Sequence, residues 1–222
     1  MTLEADLSDS LTDIPAADWD GVACPECADG GRPIDPFTTH RFLLALESSR
    51  SVGPGTGWEP APIAITDDAG RLLAAMPSYA KGHSQGEYVF DHAWADAWHR
   101  AGGRYYPKLQ IAAPFTPATG PRLLLSDDNL APHLLKGAEA VCLQNKLSSA
   151  HATFIAPEQL PLFEAGGWMP RADIQFHWFN RDYASFEDFL GALSSRKRKD
   201  LRKERAAACE GLTIRHLTGS EI

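Results

Sequence analysis

Two stretches of this chain concentrate side chains that can move protons or hold charge. In Glu87-Tyr88-Val89-Phe90-Asp91-His92-Ala93-Trp94 a carboxylate and an imidazole are neighbours at the start of a helix, flanked by aromatics. Asp91 and His92 could together pass a proton, with the aromatic rings keeping water away. Adjacent helical positions do not face each other, however, so Asp91 suits an N-cap equally well and His92 a structural place. In the second stretch, Tyr105-Tyr106-Pro107-Lys108-Leu109-Gln110, Tyr106, Lys108 and Gln110 fall on one face if the segment is a strand. With Thr116 and Thr119 in the following loop and Arg122 beyond it, they could line a pocket for an anionic or carbonyl substrate. Gln175 and His177 likewise share one side of a further strand pattern. The competing reading is an amphipathic sheet whose polar face meets water.

The strongest electrostatic feature lies near the end. Arg196, Lys197, Arg198, Lys199, Arg202, Lys203 and Arg205 wrap around one helix with two acids among them. Such a helix is either simply solvated or a seat for phosphate groups or RNA. Cys24-Pro25-Glu26-Cys27 is a CxxC, but no second pair or His pair follows at zinc spacing, so no metal is expected and the thiols read as a reduced surface pair. Ser51 to Gly57 contains GxGxG, yet it follows a helix and precedes a strand. A phosphate-cradling loop needs the reverse order, and a flexible connector is the better reading.

These residues must be positioned by alternating elements. Helices are expected over about 36–48, 91–101, 131–145 and 157–165, and strands over 61–66, 72–80, 105–113, 123–125, 149–155 and 174–180. Asp67-Asp68-Ala69-Gly70 marks a hairpin turn. Ser185-Phe186-Glu187-Asp188 is a capping box that opens a helix running through the basic residues to Gly211. Leu212 to Leu217 reads as a strand and Thr218 to Ile222 as a helix opening, which leads us to expect a further natural C-terminal portion. The pattern is α/β (α+β) around a central mixed sheet.

Composition agrees with a globular domain: 222 residues, 44% hydrophobic and 23% charged, which excludes collagen-like, coiled-coil and wholly disordered chains. The net charge of −8 arises from residues 1–30, which hold eight acids and no Lys or Arg, while the rest balances. The overall acidity therefore does not argue against an anionic partner. No transmembrane segment or signal peptide is apparent, and a cytoplasmic protein is expected.

The runs Val52 to Trp58, Gly86 to Ala97, Tyr105 to Gln110, Pro114 to Arg122, Gln175 to Trp178 and Leu193 to Lys199 together resemble the FemAB-like family of peptidoglycan biosynthesis/recognition proteins, predicted N-acyltransferases of the GNAT superfamily. The resemblance covers about residues 35–222. It implies a GNAT-like mixed sheet flanked by helices, divided here as an acidic irregular segment (1–34), a GNAT-like domain (35–195), and a basic linking helix with the first strand of a second such domain (196–222). It further implies transfer of an acyl or aminoacyl group to an amine, with acyl-CoA or aminoacyl-tRNA as donor and a small-molecule or peptide amine as acceptor. The glycine-rich pyrophosphate motif of acetyl-CoA-using GNAT enzymes is absent, which points away from acetyl-CoA in this half. Under this reading Asp91 or His92 handles the proton. Tyr106, Lys108, Gln110, Thr116, Arg122, Gln175 and His177 hold substrate, and Arg196 to Lys203 hold donor phosphates or tRNA. The alternatives are a non-catalytic module binding cell-wall peptide or nucleic acid, or a scaffold half whose active site lies elsewhere. The oligomeric state is not legible.

Overall fold

The structure is a computed structural model and describes residue 3 and residues 5–221; Met1, Thr2, Glu4 and Ile222 lie outside the described residues. The chain forms two units, one ending at Arg171 and the other starting at Ala172. That division precedes the boundary before Arg196 read from the sequence. Among the described residues no helix is long and apolar enough to cross a membrane.

The first unit is built in chain order from β1 (Ala5–Leu7), α1 (Ala16–Ala23), α2 (His40–Ser48), β2 (Trp58–Pro60), β3 (Ile63–Thr66), β4 (Leu72–Met76), β5 (Ser78–Lys81), α3 (His92–Arg100), β6 (Lys108–Ile111), β7 (Leu124–Leu125), α4 (Ala131–Gln144), β8 (Ala150–Ala152) and α5 (Leu160–Ala165). One sheet has the order β1-β3-β4-β7, all antiparallel; the other has the order β2-β5-β6-β8, with β6 and β8 parallel. The expected single strand over 72–80 is in fact two. Pro77 has no N–H to continue a ladder, and the chain changes sheets there. Ser78 anchors the change by donating its Oγ to Ala61 O at 2.5 Å. The class is mixed α/β, with two sheets in place of the expected central one.

The core explains which face of each strand is free for chemistry. α4 lays Leu134, Leu135, Ala138 and Val141 across Ile63, Ile65 and Met76 of the first sheet and Leu109 and Ile111 of the second. The opposite face of the first sheet (Ala64, Leu72, Ala75, Leu124) is covered by Leu11, Trp19, Val22 and Leu43. Residues 5–29, expected to be irregular apart from a short helix around Ala16 to Trp19, therefore supply a strand and a helix to the core. Trp19, fully buried, donates its indole N–H to Thr38 O at 2.8 Å. Fully burying such an aromatic stabilises by roughly 1.5–3 kcal/mol or more. On the second sheet, Leu109 and Ile111 turn to α4, so Lys108 and Gln110 must turn the other way. The register sets Lys81 opposite Lys108 and Tyr79 opposite Gln110. This polar face is buried: Lys81, Lys108 and Gln110 are each at most 1% exposed. The expectation of a water-facing polar sheet is corrected.

The glycine-containing loop before β2 is a packed wall and not a flexible connector. Gly57 has φ +74°, and a Cβ there would lie 2.2 Å from the His83 ring, so only glycine lets the loop and ring approach.

The second unit holds α6 (Phe186–Gly191) and α7 (Ser195–Ala208). Ser185 caps α6 by accepting from Asp188 N, as the sequence indicates, but the helix stops and a second one starts with Ser194 as its cap. Residues 174–180 and 212–217, both expected as strands, are exposed and carry no regular structure. Their alternation fits a strand, but a strand forms only when its backbone pairs with a neighbour.

Candidate functional site

The buried polar face of the second sheet is closed by the segment between β5 and α3, and together they make a charge cluster. Lys108 Nζ donates to Glu87 Oε2 and Asp91 Oδ2, both at 2.8 Å, and to Ser84 Oγ at 3.2 Å. Tyr105 donates its hydroxyl to Asp91 Oδ2 at 2.7 Å, and the Tyr106 hydroxyl shares a 2.6 Å hydrogen bond with Ser84 Oγ. Lys81 Nζ lies 4.0 Å from Glu87 Oε1, donates to Gln85 O at 3.1 Å, and sits 3.7 Å from the centre of the Trp58 ring. Two lysines thus face two carboxylates in a site closed to water. Half-buried Tyr106 and His83 form its rim.

Local sequence puts each group there. Strand alternation sends Lys81 and Lys108 to one face. Gly86, with φ +79°, turns the connecting segment where a Cβ would strike Phe115 at 2.6 Å, and so aims Glu87 inward. Asp91 occupies the N-cap position of α3, but its side chain makes no capping bond and turns to Lys108 instead.

Burial and partners set the protonation states. Burial alone would raise Asp91, but hydrogen bonds from Lys108, Ser84 and Tyr105 outweigh it and hold the carboxyl at about 2. Glu87 goes the other way: burial pushes its pKa up, against the opposing pull of Lys108. Burial lowers Lys81 to about 8, partly offset by Glu87. Burial, followed by the Lys108 charge, lowers His151 to about 4. Two carboxylates with opposite shifts beside one ammonium are the usual means of giving one group a charge-holding task and the other a proton-transfer task. Glu87 Oε1, Asp91 Oδ1 and Gln110 Oε1 are buried without a hydrogen-bond partner, although Lys108 already directs its three N–H groups to acceptors.

The structure therefore brings together Asp91, Lys108 and Tyr106, with Gln110 on the same strand face. It does not add the remaining candidates. His92 is exposed on the first turn of α3, apart from the buried partners of Asp91. Thr116 is half-buried and donates within its own turn to Pro114 O at 3.0 Å. Arg122 is buried and fixed to backbone: Nε donates to Thr153 O, Nη2 to Ala118 O and Nη1 to Pro121 O, all within 2.9 Å, with Asp35 at 3.8 Å. It staples loops, with three of its five N–H groups spent on backbone carbonyls. Gln175 and His177 belong to the second unit, exposed and in contact with each other at 2.8 Å. On α7, Lys197, Lys199 and Lys203 are exposed, Arg196 lies 3.9 Å from Asp200, Arg202 pairs with Glu187, and Arg198 donates to Leu193 O. Reasoning from sequence missed Lys81, Ser84 and Glu87 as site residues. Their only signal was a second polar-alternating strand followed by a carboxylate four residues ahead of Asp91. Among the described residues no group of three or more His, Cys, Asp or Glu could hold a metal ion.

The FemAB-like family model, described as peptidoglycan biosynthesis/recognition, matches residues 10–222. The chain belongs to the FemAB-like family. The match starts well before residue 35, in keeping with the structural part played by α1. This FemAB-like chain is also similar to a GCN5-related N-acetyltransferase from Ralstonia eutropha JMP134, at 14% identity and a TM-score of 0.44, over 80% of this chain and 99% of that one. No curated protein matches it.

Proposed function

We propose that this FemAB-like chain takes part in transferring an acyl or aminoacyl group to an amine, in peptidoglycan metabolism, through a GNAT-like first unit. Family membership supports the biological setting. The observation that carries the chemistry is the pair of carboxylates with opposed pKa shifts around Lys108.

In this reading Asp91 stays ionised and holds Lys108, which in turn orients Glu87. Glu87, the more basic carboxylate, accepts a proton from the acceptor ammonium through its unpartnered Oε1. The freed amine attacks the donor carbonyl, and the tetrahedral oxyanion is stabilised by a nearby cation, for which Lys81 is the candidate. Collapse expels the donor's leaving group, a thiolate or a ribose oxygen, which takes up the second proton lost by the attacking nitrogen, while the proton held by Glu87 passes to solvent. Lys197, Lys199 and Lys203 are assigned to donor phosphates, with acyl-CoA or aminoacyl-tRNA as the donor classes.

A second reading has one observation in its favour. Every N–H of Lys108 is already engaged inside the protein, as in a structural ion network, and this suits a non-catalytic module that binds cell-wall peptide or nucleic acid. A thermal-shift series with acetyl-CoA, long-chain acyl-CoA and aminoacyl-tRNA separates the readings. A donor at ~100 times its Kd adds about 2.7 kcal/mol of stability. Stabilisation by one donor class supports transfer, and stabilisation by none of them removes the donor-binding claim.

A further inference from the structure

Cys24 and Cys27 lie outside the charge cluster and outside the chemistry assigned to it. Cys24 closes α1, its N–H donating to Asp20 O at 2.9 Å, and its side chain is buried. Cys27 is half-buried on the 3₁₀ turn Pro25–Asp29 that starts at the next residue. The two thiols are free, and the turn is closed by Cys27 N donating to Cys24 O at 2.9 Å, which draws the two residues' backbones together. Two thiols alone do not make a tetrahedral metal site. The closed turn does hold their backbones at the short separation a disulfide demands.

We propose that Cys24 and Cys27 are a thiol pair that closes to an intramolecular disulfide by exchange with a small-molecule disulfide. The Cys27 thiolate, the more accessible of the two, attacks one sulfur of the reagent. A mixed disulfide forms and one small thiolate leaves and takes up a proton. The Cys24 sulfur, having given its proton to solvent, then attacks the Cys27 sulfur and expels the second small thiolate. The protein pair loses two electrons, and the reagent disulfide gains them as two thiols. Cys24 is the slower participant, since burial, its bond to Cys27 and the charges of Asp20 and Glu26 push its thiol up to about 12. Those same carboxylates favour a cationic reagent such as cystamine over anionic glutathione disulfide, and the preference fades with salt.

The staple would fix the end of α1, which also holds α2: Asp20 Oδ1 accepts from His40 N at 2.7 Å. The test uses the full chain as Cys209→Ser, which removes the exposed thiol and with it intermolecular pairing. After cystamine treatment, acid quench and alkylation in denaturant, the tryptic peptide 1–41, in which Pro33 blocks cleavage after Arg32, holds both cysteines. The expected product is that peptide lighter by two hydrogens and unalkylated, formed several-fold faster with cystamine than with glutathione disulfide at low salt. In a Cys27→Ser variant Cys24 stays reduced and alkylatable. A peptide that keeps two alkylatable thiols, or one that stops at a stable mixed disulfide on Cys27, overturns the proposal.

Discussion

Replacing Lys108 with Met removes a cation hydrogen-bonded to two buried carboxylates. Lys108 makes charge-assisted bonds of 2.8 Å to both Glu87 and Asp91, whose side chains are at most 2% exposed. Lys81, 4.0 Å from Glu87, is the nearest remaining cation. Breaking a buried ion pair by removing one partner costs about 3–5 kcal/mol, because the charge left behind is uncompensated. With a urea slope near ~2 kcal/mol/M, the unfolding midpoint followed by near-UV circular dichroism should fall by about 2 M. The pH dependence should also change, because in the wild type the raised Glu87 and the lowered Asp91 oppose each other and without Lys108 both act in the same direction. In the wild type the Asp91 carboxyl sits at about 2, below its unfolded value of about 3.9. Its contribution is therefore present above pH ~4 and is lost as pH falls from 4 towards 2. The full linkage is about 2.6 kcal/mol, and screening by water at the rim of the cluster reduces it to about 1–2 kcal/mol. Without Lys108 the buried Asp91 loses its counter-ion and Glu87 keeps only Lys81 at 4.0 Å, so burial sets both folded pKa values above the unfolded ones. The variant then gains stability as pH falls from 7 to 4. A loss below about 1 kcal/mol, or a variant with the wild-type pH slope, would refute the claim that Lys108 holds this site together.

Arg122→Lys should cost roughly 2–4 kcal/mol, since one ammonium cannot replace three guanidinium bonds to separate carbonyls; an unchanged melting temperature would remove the stapling role. Trp58→Leu strips the ring from beneath Lys81 and should destabilise by about 0.5–2 kcal/mol beyond the packing it removes, read from a double-mutant cycle with Lys81→Met. Neutralising Lys197, Lys199 and Lys203 together should weaken binding to single-stranded RNA and flatten its logarithmic salt dependence by about 0.7 for each phosphate no longer neutralised. An unaltered slope would mean that these side chains only solvate the helix.

The parts legible in the sequence are those fixed by local chemistry. The Asp67 to Gly70 turn works because Asp67 accepts from Ala69 N and Arg71 N while Gly70 takes φ +80°. Ser185 caps a helix because its hydroxyl can reach the N–H of Asp188. The common face of Lys108 and Gln110 follows from strand periodicity alone. What needed tertiary structure was which side chains meet that face. Lys81 opposite Lys108 is a matter of strand register, and Glu87 arrives on a connecting segment, so neither position is written in local spacing. Arg122 carries the charge expected of a substrate ligand, but it bonds the carbonyls of its own loop (Ala118, Pro121) to that of distant Thr153, which gives it a structural task. The same limit explains 174–180, where alternation specifies two faces but no neighbouring strand.

The central claim is that Glu87 takes the acceptor's proton while Asp91 and Lys108 hold it in place. It is tested most directly by the pH–rate profile of single-turnover acyl or aminoacyl transfer by the wild type and Glu87→Gln, with circular dichroism confirming that the variant is folded. Loss of a general base of this kind predicts a rate lower by about 10²–10⁴ and disappearance of the wild-type acid limb. A folded Glu87→Gln protein that transfers at the wild-type rate, with its acid limb intact, would contradict the account.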